Sequence, residues 1–193
     1  MFNLLKEEEK NKGKTIKIKK DEILYHEEEK CEYVGFVLDG LLEIKSYSLS
    51  GNEIIYNKIN KGEMFGNNLI LSSSPFYKGN VIAVKDSEIF LLDENSLLDV
   101  LQNNESFLES FLRYESDLSK KMNSKIKILS FSSLEERFLY FLKENNPLRI
   151  DSVTQLAKEL NSSREALSRL LSSLEKQGKI KRKGKMITRS QIL

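Results

Sequence analysis

The sequence predicts an α+β protein: an N-terminal antiparallel β jelly roll, a long helix, and a C-terminal winged helix-turn-helix. Three observations predict it. Residues 15–92 carry short alternating apolar runs separated by turn residues, the pattern of a sandwich or barrel. From Glu105 to about Leu129 the apolar spacing becomes helical. Residues 153–177 then encode two short amphipathic helices around a tight turn. The domains expected from these changes are 1–104, 105–129 and 130–193.

The strands are read in order as Thr15–Lys19, Val34–Leu38, Leu41–Tyr47, Glu53–Ile59, Val81–Val84 and Glu88–Leu92. Turn signals separate them at Asp39-Gly40, Ser50-Gly51-Asn52, Lys61-Gly62, Ser72 to Pro75 and Lys78-Gly79-Asn80. A short helix over Asp93–Leu101 should close the barrel. The long helix then carries Phe107, Phe111, Tyr114, Leu118 and Met122 at steps of four and three. That is the spacing of a coiled-coil seam. It continues through Ile126 and Leu129, with Lys121 and Lys125 interrupting it. Packing on the chain's own barrel competes with dimerisation for this stripe. Ile128–Ser133 reads as a hinge between domains, and Ser133-Leu-Glu-Glu136 as the start of the next helix.

The helix-turn-helix is the most informative stretch. Val153, Leu156, Ala157 and Leu160 form one buried helical stripe, and Leu167, Leu170, Leu171 and Leu174 form a second. Ser152 with Gln155, and Ser162 with Glu165, have the spacing of capping boxes. Asn161 lies between the helices, where a tight bend needs a residue that tolerates positive φ. Gln177-Gly178 marks the C-cap. A β-hairpin turning near Gly184 should follow, with a basic tip.

Charge supports a nucleic-acid partner. The whole chain has 31 Lys and Arg against 29 Asp and Glu. Residues 130–193 hold 13 of those cations and only 7 of the acids, while residues 1–129 hold 18 and 22. The weak overall charge therefore hides a basic C-terminal third. Amphipathic helix pairs occur in any α-domain, Glu165 could serve only as a cap, and a basic hairpin tip can be a solvated turn. The coincidence of caps, turn Asn, paired Arg and basic hairpin in one block favours double-stranded DNA. Arg164, Glu165, Ser168 and Arg169 are the candidate base readers. Ser152, Thr154, Ser163, Lys181, Arg182, Lys183 and Lys185 are the candidate phosphate contacts.

Other classes fare worse. No apolar run approaches the 18 residues of a membrane span, and the N-terminus has no signal-peptide core, so a cytoplasmic protein is expected. One Cys, Cys31, excludes an intramolecular disulfide and an all-Cys metal cluster within one chain. One His, His26, argues against a metalloenzyme on a jelly roll, which usually needs a His cluster. No metal site and no catalytic site are assigned.

Ser163 to Ile180 resembles the recognition-helix signature of the Crp/Fnr regulators, and Gln155 to Leu160 fits the helix before it. Glu32 to Gly40, Ser50 to Glu53 and Lys61 to Gly66 resemble the strand-turn signature, hairpin and cassette entry of that family's cyclic-nucleotide-binding domain. The likeness covers nearly the whole chain, with the first helix reduced. It implies a transcription regulator, activator or repressor, working as a homodimer along the long helix, with RNA polymerase as a further partner to consider. It implies an effector-sensing barrel at 1–104, a dimerisation helix at 105–129 and a DNA-binding domain at 130–193.

The ligand cassette departs from that pattern. Where cyclic-AMP-binding members carry a ribose-binding Glu and an Arg-Ser phosphate pair, this chain has Asn67, Tyr77 and Lys78. Losing the Arg removes a charge-assisted bond of roughly 1.5–3 kcal/mol, about ten- to a hundredfold in affinity. Lys78 brings a charge without the bidentate fork. The expectation is a small-molecule effector other than classical cyclic AMP, with Asn67, Tyr77, Lys78 and Asn80 as its polar lining. Two alternatives stand beside it: a cyclic-nucleotide- or haem-responsive member of the same family, in which His26 or Cys31 takes part in sensing, and a cyclic-nucleotide-binding-like module whose C-terminus binds protein.

Overall fold

The computed structural model describes residues 1–48, 50–51 and 53–190; Asn52 of the expected turn and residues 191–193 of the expected third domain lie outside them. The chain forms two compact units, Met1–Ser116 and Asp117–Leu193.

In the first unit, a 3-10 turn (Phe2–Leu4) and a four-residue helix α1 (Glu7–Lys10) precede an antiparallel β-roll. Its strands are β1 (Lys14–Ile18), β2 (Ile23–Tyr25), β3 (Tyr33–Tyr47), β4 (Glu53–Asn60), β5 (Met64–Phe65) and β6 (Asn80–Asp93). The sheet runs β1-β6-β3-β4, with β2 on β6 and β5 on β3. The core packs Val34, Phe36, Leu42, Val81, Ile89 and Leu92.

Two pairs of expected strands are fused. Val34–Leu38 and Leu41–Tyr47 are one strand, β3, and Val81–Val84 and Glu88–Leu92 are one strand, β6. Asp39-Gly40 is not a turn but a set of bulges, with register shifts against β6 on both sides. Gly40 sits at φ 112, and a Cβ there would lie 2.0 Å from Ser87 Oγ. The Leu41 amide instead donates to that hydroxyl at 3.2 Å. A bulge bends a strand without ending its pairing, so the turn-like dipeptide curls the sheet.

A short helix α2 (Asn67–Ile70) leaves β5, and α3 (Glu94–Asn103) follows β6, capped by Asp93, which accepts from the Ser96 amide at 2.8 Å. The long helix α4 spans Glu105–Ser130. Asn104 starts it: its Oδ1 accepts from the Phe107 amide at 3.0 Å, and its Nδ2 donates to Leu4 O and buried Glu9. The two compact units divide inside α4 and not at either of its ends.

The second unit contains the rest of α4, then α5 (Leu134–Glu144), β7 (Leu148–Arg149), α6 (Val153–Glu159), α7 (Arg164–Lys176), β8 (Ile180–Lys183) and β9 (Met186–Arg189). A three-stranded sheet, β7-β9-β8, flanks the helices. Phe138, Leu142, Leu156, Leu160, Leu167, Leu171 and Leu174 make its core. Ile128, expected in a hinge, is 7% exposed and packs in that core, because the last turn of α4 belongs to this unit.

Candidate nucleic-acid interface

Leu167, Leu171 and Leu174 bury one side of α7, and this fixes the side left outside. With 3.6 residues per turn, Arg164, Glu165, Ser168 and Arg169 fall away from that stripe, and all four are exposed. Among the described residues, no side-chain hydrogen bond or ion pair engages Arg164, Glu165 or Arg169. The structure thus brings the four candidate base readers onto one solvent-facing side of a 13-residue helix.

The helix start differs from the sequence expectation by one residue. The N-cap is Ser163, not Ser162: Ser163 Oγ accepts from the Ala166 amide at 3.1 Å. Ala166 now occupies the position where a box needs Glu or Gln. Glu165 therefore stands one residue before it, with its carboxylate uncommitted. The first helix is capped by Ser152, whose Oγ accepts from the Gln155 amide at 3.3 Å, but the reciprocal Gln155 bond of the expected capping box is not formed.

Asn161 adopts φ 49 between the helices. Its amide donates to Lys158 O at 3.1 Å, and the Ser162 amide donates to Ala157 O at 2.9 Å. This is a Schellman stop, so the turn closes tightly and delivers the chain to Ser163. Gly178, φ 71, ends α7 in the same way.

The hairpin β8–β9 turns at Gly184-Lys185, with Lys183 opposite Met186. Its cations are not equivalent. Lys185 Nζ lies 3.3 Å from Asp151, which Arg149 Nε also approaches at 3.2 Å. Those hydrogen bonds, from Lys185 first and Arg149 second, hold the Asp151 carboxyl below the usual range. Arg182 lies 3.7 Å from Glu175. Lys181 and Lys183 are exposed and have no ion-pair partner among the described residues. Ser152, Thr154 and Ser163 are exposed as well. Of the seven candidate phosphate contacts, Lys185 and Arg182 are thus partly neutralised within the chain.

The expected seam on α4 is corrected. Phe107 (0% exposed) and Phe111 (5%) lie in the core of the β-unit, and Tyr114 packs against it. Phe107 meets Phe36 with ring centroids 6.4 Å apart. Phe107 and Phe111 are spent on their own domain and cannot face a partner, whereas Tyr114 is only partly buried. Leu118 is half-buried. The apolar side chains left outside are Leu112, Met122, Ile126 and Leu129, at 56%, 54%, 64% and 45% exposure. With Glu115 and Ser119 between them, they keep heptad spacing.

The expected effector lining is corrected too. Tyr77 is 1% exposed and stacks on Tyr25 at 5.0 Å. The Cys31 thiol donates to its hydroxyl at 3.4 Å. Burial first, then the neighbouring thiol, pushes the Tyr77 phenol far above its usual range, so it stays neutral. Asn67 is buried and donates to Glu115 on α4. Asn80 Oδ1 accepts from the Glu27 amide at 3.0 Å. Lys78 is exposed. Asn67, Tyr77 and Asn80 are thus committed within the fold, while Lys78 has no side-chain partner among the described residues. Cys31 is buried, its Sγ within hydrogen-bond reach of Tyr33 O and Gly66 O as well as Tyr77, while His26 is exposed. Among the described residues, no helix is long and apolar enough to cross a membrane.

Sequence reasoning missed three features here. The pairing of Asp151 with Lys185 carries no local signal, since the partners lie far apart in the chain. The shift of the cap from Ser162 to Ser163 follows from where the Asn161 bend ends. The third, Arg137 on α5, reaches the turn between α6 and α7 from outside both helices.

Comparison with known proteins agrees with this fold. The family model of the cyclic nucleotide-binding domain matches residues 15–104, and that of the Crp-like helix-turn-helix domain matches residues 136–191. The anaerobic regulatory protein of Bacillus subtilis (strain 168) is 24% identical over 176 residues, covering 85% of this chain and 74% of that protein. A transcriptional regulator from Thermotoga maritima is 28% identical over 62% of this chain and 93% of its own, with a TM-score of 0.59. FixK2 from Bradyrhizobium japonicum, 23% identical, covers 92% of both chains with a TM-score of 0.56.

Proposed function

Because this chain is a transcription regulator of the Crp/Fnr family, we propose that it reads a palindromic DNA operator as a homodimer through α7, under an effector other than classical cyclic AMP. The observation that carries the reading is the free polar side of α7. Arg164 and Arg169 each donate to guanine O6 and N7. Glu165 accepts from a cytosine amine, and Ser168 adds a lesser contact. A good bidentate pair is worth about 1–3 kcal/mol of discrimination. Ser152, Thr154, Ser163, Lys181 and Lys183 hold phosphates, which sets affinity and salt dependence without sequence preference. Arg182 and Lys185 contribute less, because Glu175 and Asp151 compete for them.

One recognition helix spans only a few base pairs. A two-fold pair reads half-sites about one helical turn apart. The exposed seam of Leu112, Met122, Ile126 and Leu129 supplies the surface that two copies bury against each other.

The family's barrel takes a cyclic nucleotide where it carries the matching acid and guanidinium. The residues here do not fit that ligand. A buried neutral Tyr77 stands where the phosphate needs a cation, and Asn67 is engaged by Glu115. The effector belongs to another small-molecule class.

A mobility-shift titration of the purified chain on random duplex DNA tests the reading. The expected result is binding that weakens steeply from low to moderate salt. Absence of salt-sensitive DNA binding overturns it, and leaves a protein-interaction role for the C-terminal unit.

A further inference from the structure

We infer that Arg137 is a positioning residue for base recognition: from α5, its guanidinium fixes the peptide units of the turn that aims α7. The inference rests on the base-reading role proposed for α7 and adds a residue that touches no DNA. Arg137 Nη1 donates to Leu160 O at 2.9 Å and to Asn161 O at 3.1 Å, and Nε reaches Ser133 O at 3.4 Å. Leu160 is the C-cap of α6, and Asn161 is the positive-φ residue after it. Their carbonyls lie past the end of the helix, where no following turn supplies amides. One cation at a helix C-terminus also complements the helix dipole.

The position of these two acceptors matters more than their energy. The Schellman bonds fix the turn up to the Ser162 amide. The Leu160 side chain, 0% exposed, anchors it in the core. Those Schellman bonds hold the two peptide units on either side of Asn161 only at their amide ends. The orientation of these units sets the direction in which the chain enters Ser163 and α7. A single Nη1 shared by both carbonyls, on a side chain held at Ser133, holds the same two units at their carbonyl ends from a separate helix. The Asn161 carbonyl is at the surface and that of Leu160 is part-buried, so water replaces the first bond directly, and the buried Leu160 side chain and the Schellman bonds keep the turn folded. Base readout does not survive so easily, because side chains must sit within about 0.5 Å of their productive geometry.

The test uses the full chain, a duplex selected from randomised DNA by the wild-type protein, and a scrambled duplex of equal length. Arg137→Gln is expected to lower the ratio of selected to scrambled affinity about tenfold, the loss of one good base contact. Its affinity for the scrambled duplex, and the salt slope of that affinity, should match wild type. Arg137→Lys, which can still donate to both carbonyls, should recover part of the ratio. A Gln variant with the wild-type ratio overturns the inference. So does one that is unfolded by far-UV circular dichroism, which makes Arg137 a stability residue. Equal loss on both duplexes with a shallower salt slope makes it a phosphate contact, and a Lys variant no better than Gln contradicts the carbonyl-donor account. A wild-type chain that selects no sequence overturns the base-reading role itself. That outcome is distinct from wild-type selection with an unaffected Gln variant.

Discussion

Arg169 and Lys183 carry the same charge, and the proposed function gives them different work. Arg169 lies on the free side of α7, and Lys183 on the hairpin strand β8. Arg169→Ala should flatten preference at one base position per half-site, whereas Lys183→Ala should weaken all duplexes alike and reduce the salt slope by about one unit. Identical behaviour of the two variants on a panel of single-base operator changes would refute these roles. Asn161 holds φ 49, a conformation that costs most L-residues roughly 1–2 kcal/mol. Asn161→Ala should destabilise the C-terminal unit by about 1 kcal/mol and Asn161→Gly by less, read from amide exchange along α7. Glu43 gives a pH dependence in the other unit. It is 5% exposed, with Lys58 Nζ at 2.6 Å and Lys45 Nζ at 3.0 Å. Burial raises its pKa, but the hydrogen bonds from Lys58 and Lys45 outweigh burial and hold it below the usual range. A carboxyl depressed in the folded state stabilises fully above its unfolded value, near 4.3. That contribution is lost as pH falls through the folded value. The urea midpoint of the wild type should therefore fall further from about pH 5 to about pH 3 than that of Glu43→Gln. Parallel curves would show that the contact adds nothing.

At the scale of elements, α4 does two jobs along its length. Its first turns fill the β-roll with Phe107 and Phe111, and its later turns leave Met122 and Ile126 outside. Phe111→Ala should cost the β-unit about 3–5 kcal/mol through a core cavity. Ile126→Glu should leave the fold intact and shift the chain toward monomer in sedimentation equilibrium. An Ile126→Glu chain that sediments with wild-type mass would remove the seam. The sequence shows why this division was hard to read. Phe107, Phe111, Tyr114, Leu118 and Met122 repeat correctly for a seam, and periodicity reports that a side is buried, never what buries it. The same limit explains Asp39-Gly40, a turn by composition and a bulge by pairing, since the partner Ser87 is distant in sequence. Where the signal is local it was legible: the Ser152 cap, the Asn161 bend, the Gly178 stop and the hairpin at Gly184 all follow from adjacent residues. The solvent-facing side of α7 was legible for that reason. The fate of Asn67, Tyr77 and Asn80 was not, because it depends on Glu115, Cys31, Tyr25 and Glu27 reaching them across the roll.

For the whole molecule, the two units carry opposite charge balances, and only the basic one contains the helix-turn-helix. An acidic N-terminal unit and a basic C-terminal unit leave the phosphate backbone attracted to one part of the chain. The N-terminal unit should ignore cyclic AMP: isothermal titration at millimolar nucleotide should give no saturable heat, and a micromolar Kd would overturn the reading of Tyr77. In the proposed function, two copies of α7 read DNA sequence as a pair. Selection of duplexes from a randomised pool by the full chain tests it most directly. The recovered sequences should share a two-fold symmetric site whose half-sites lie about one helical turn apart. A recovered pool without enrichment, or enriched in a single asymmetric half-site, would contradict it.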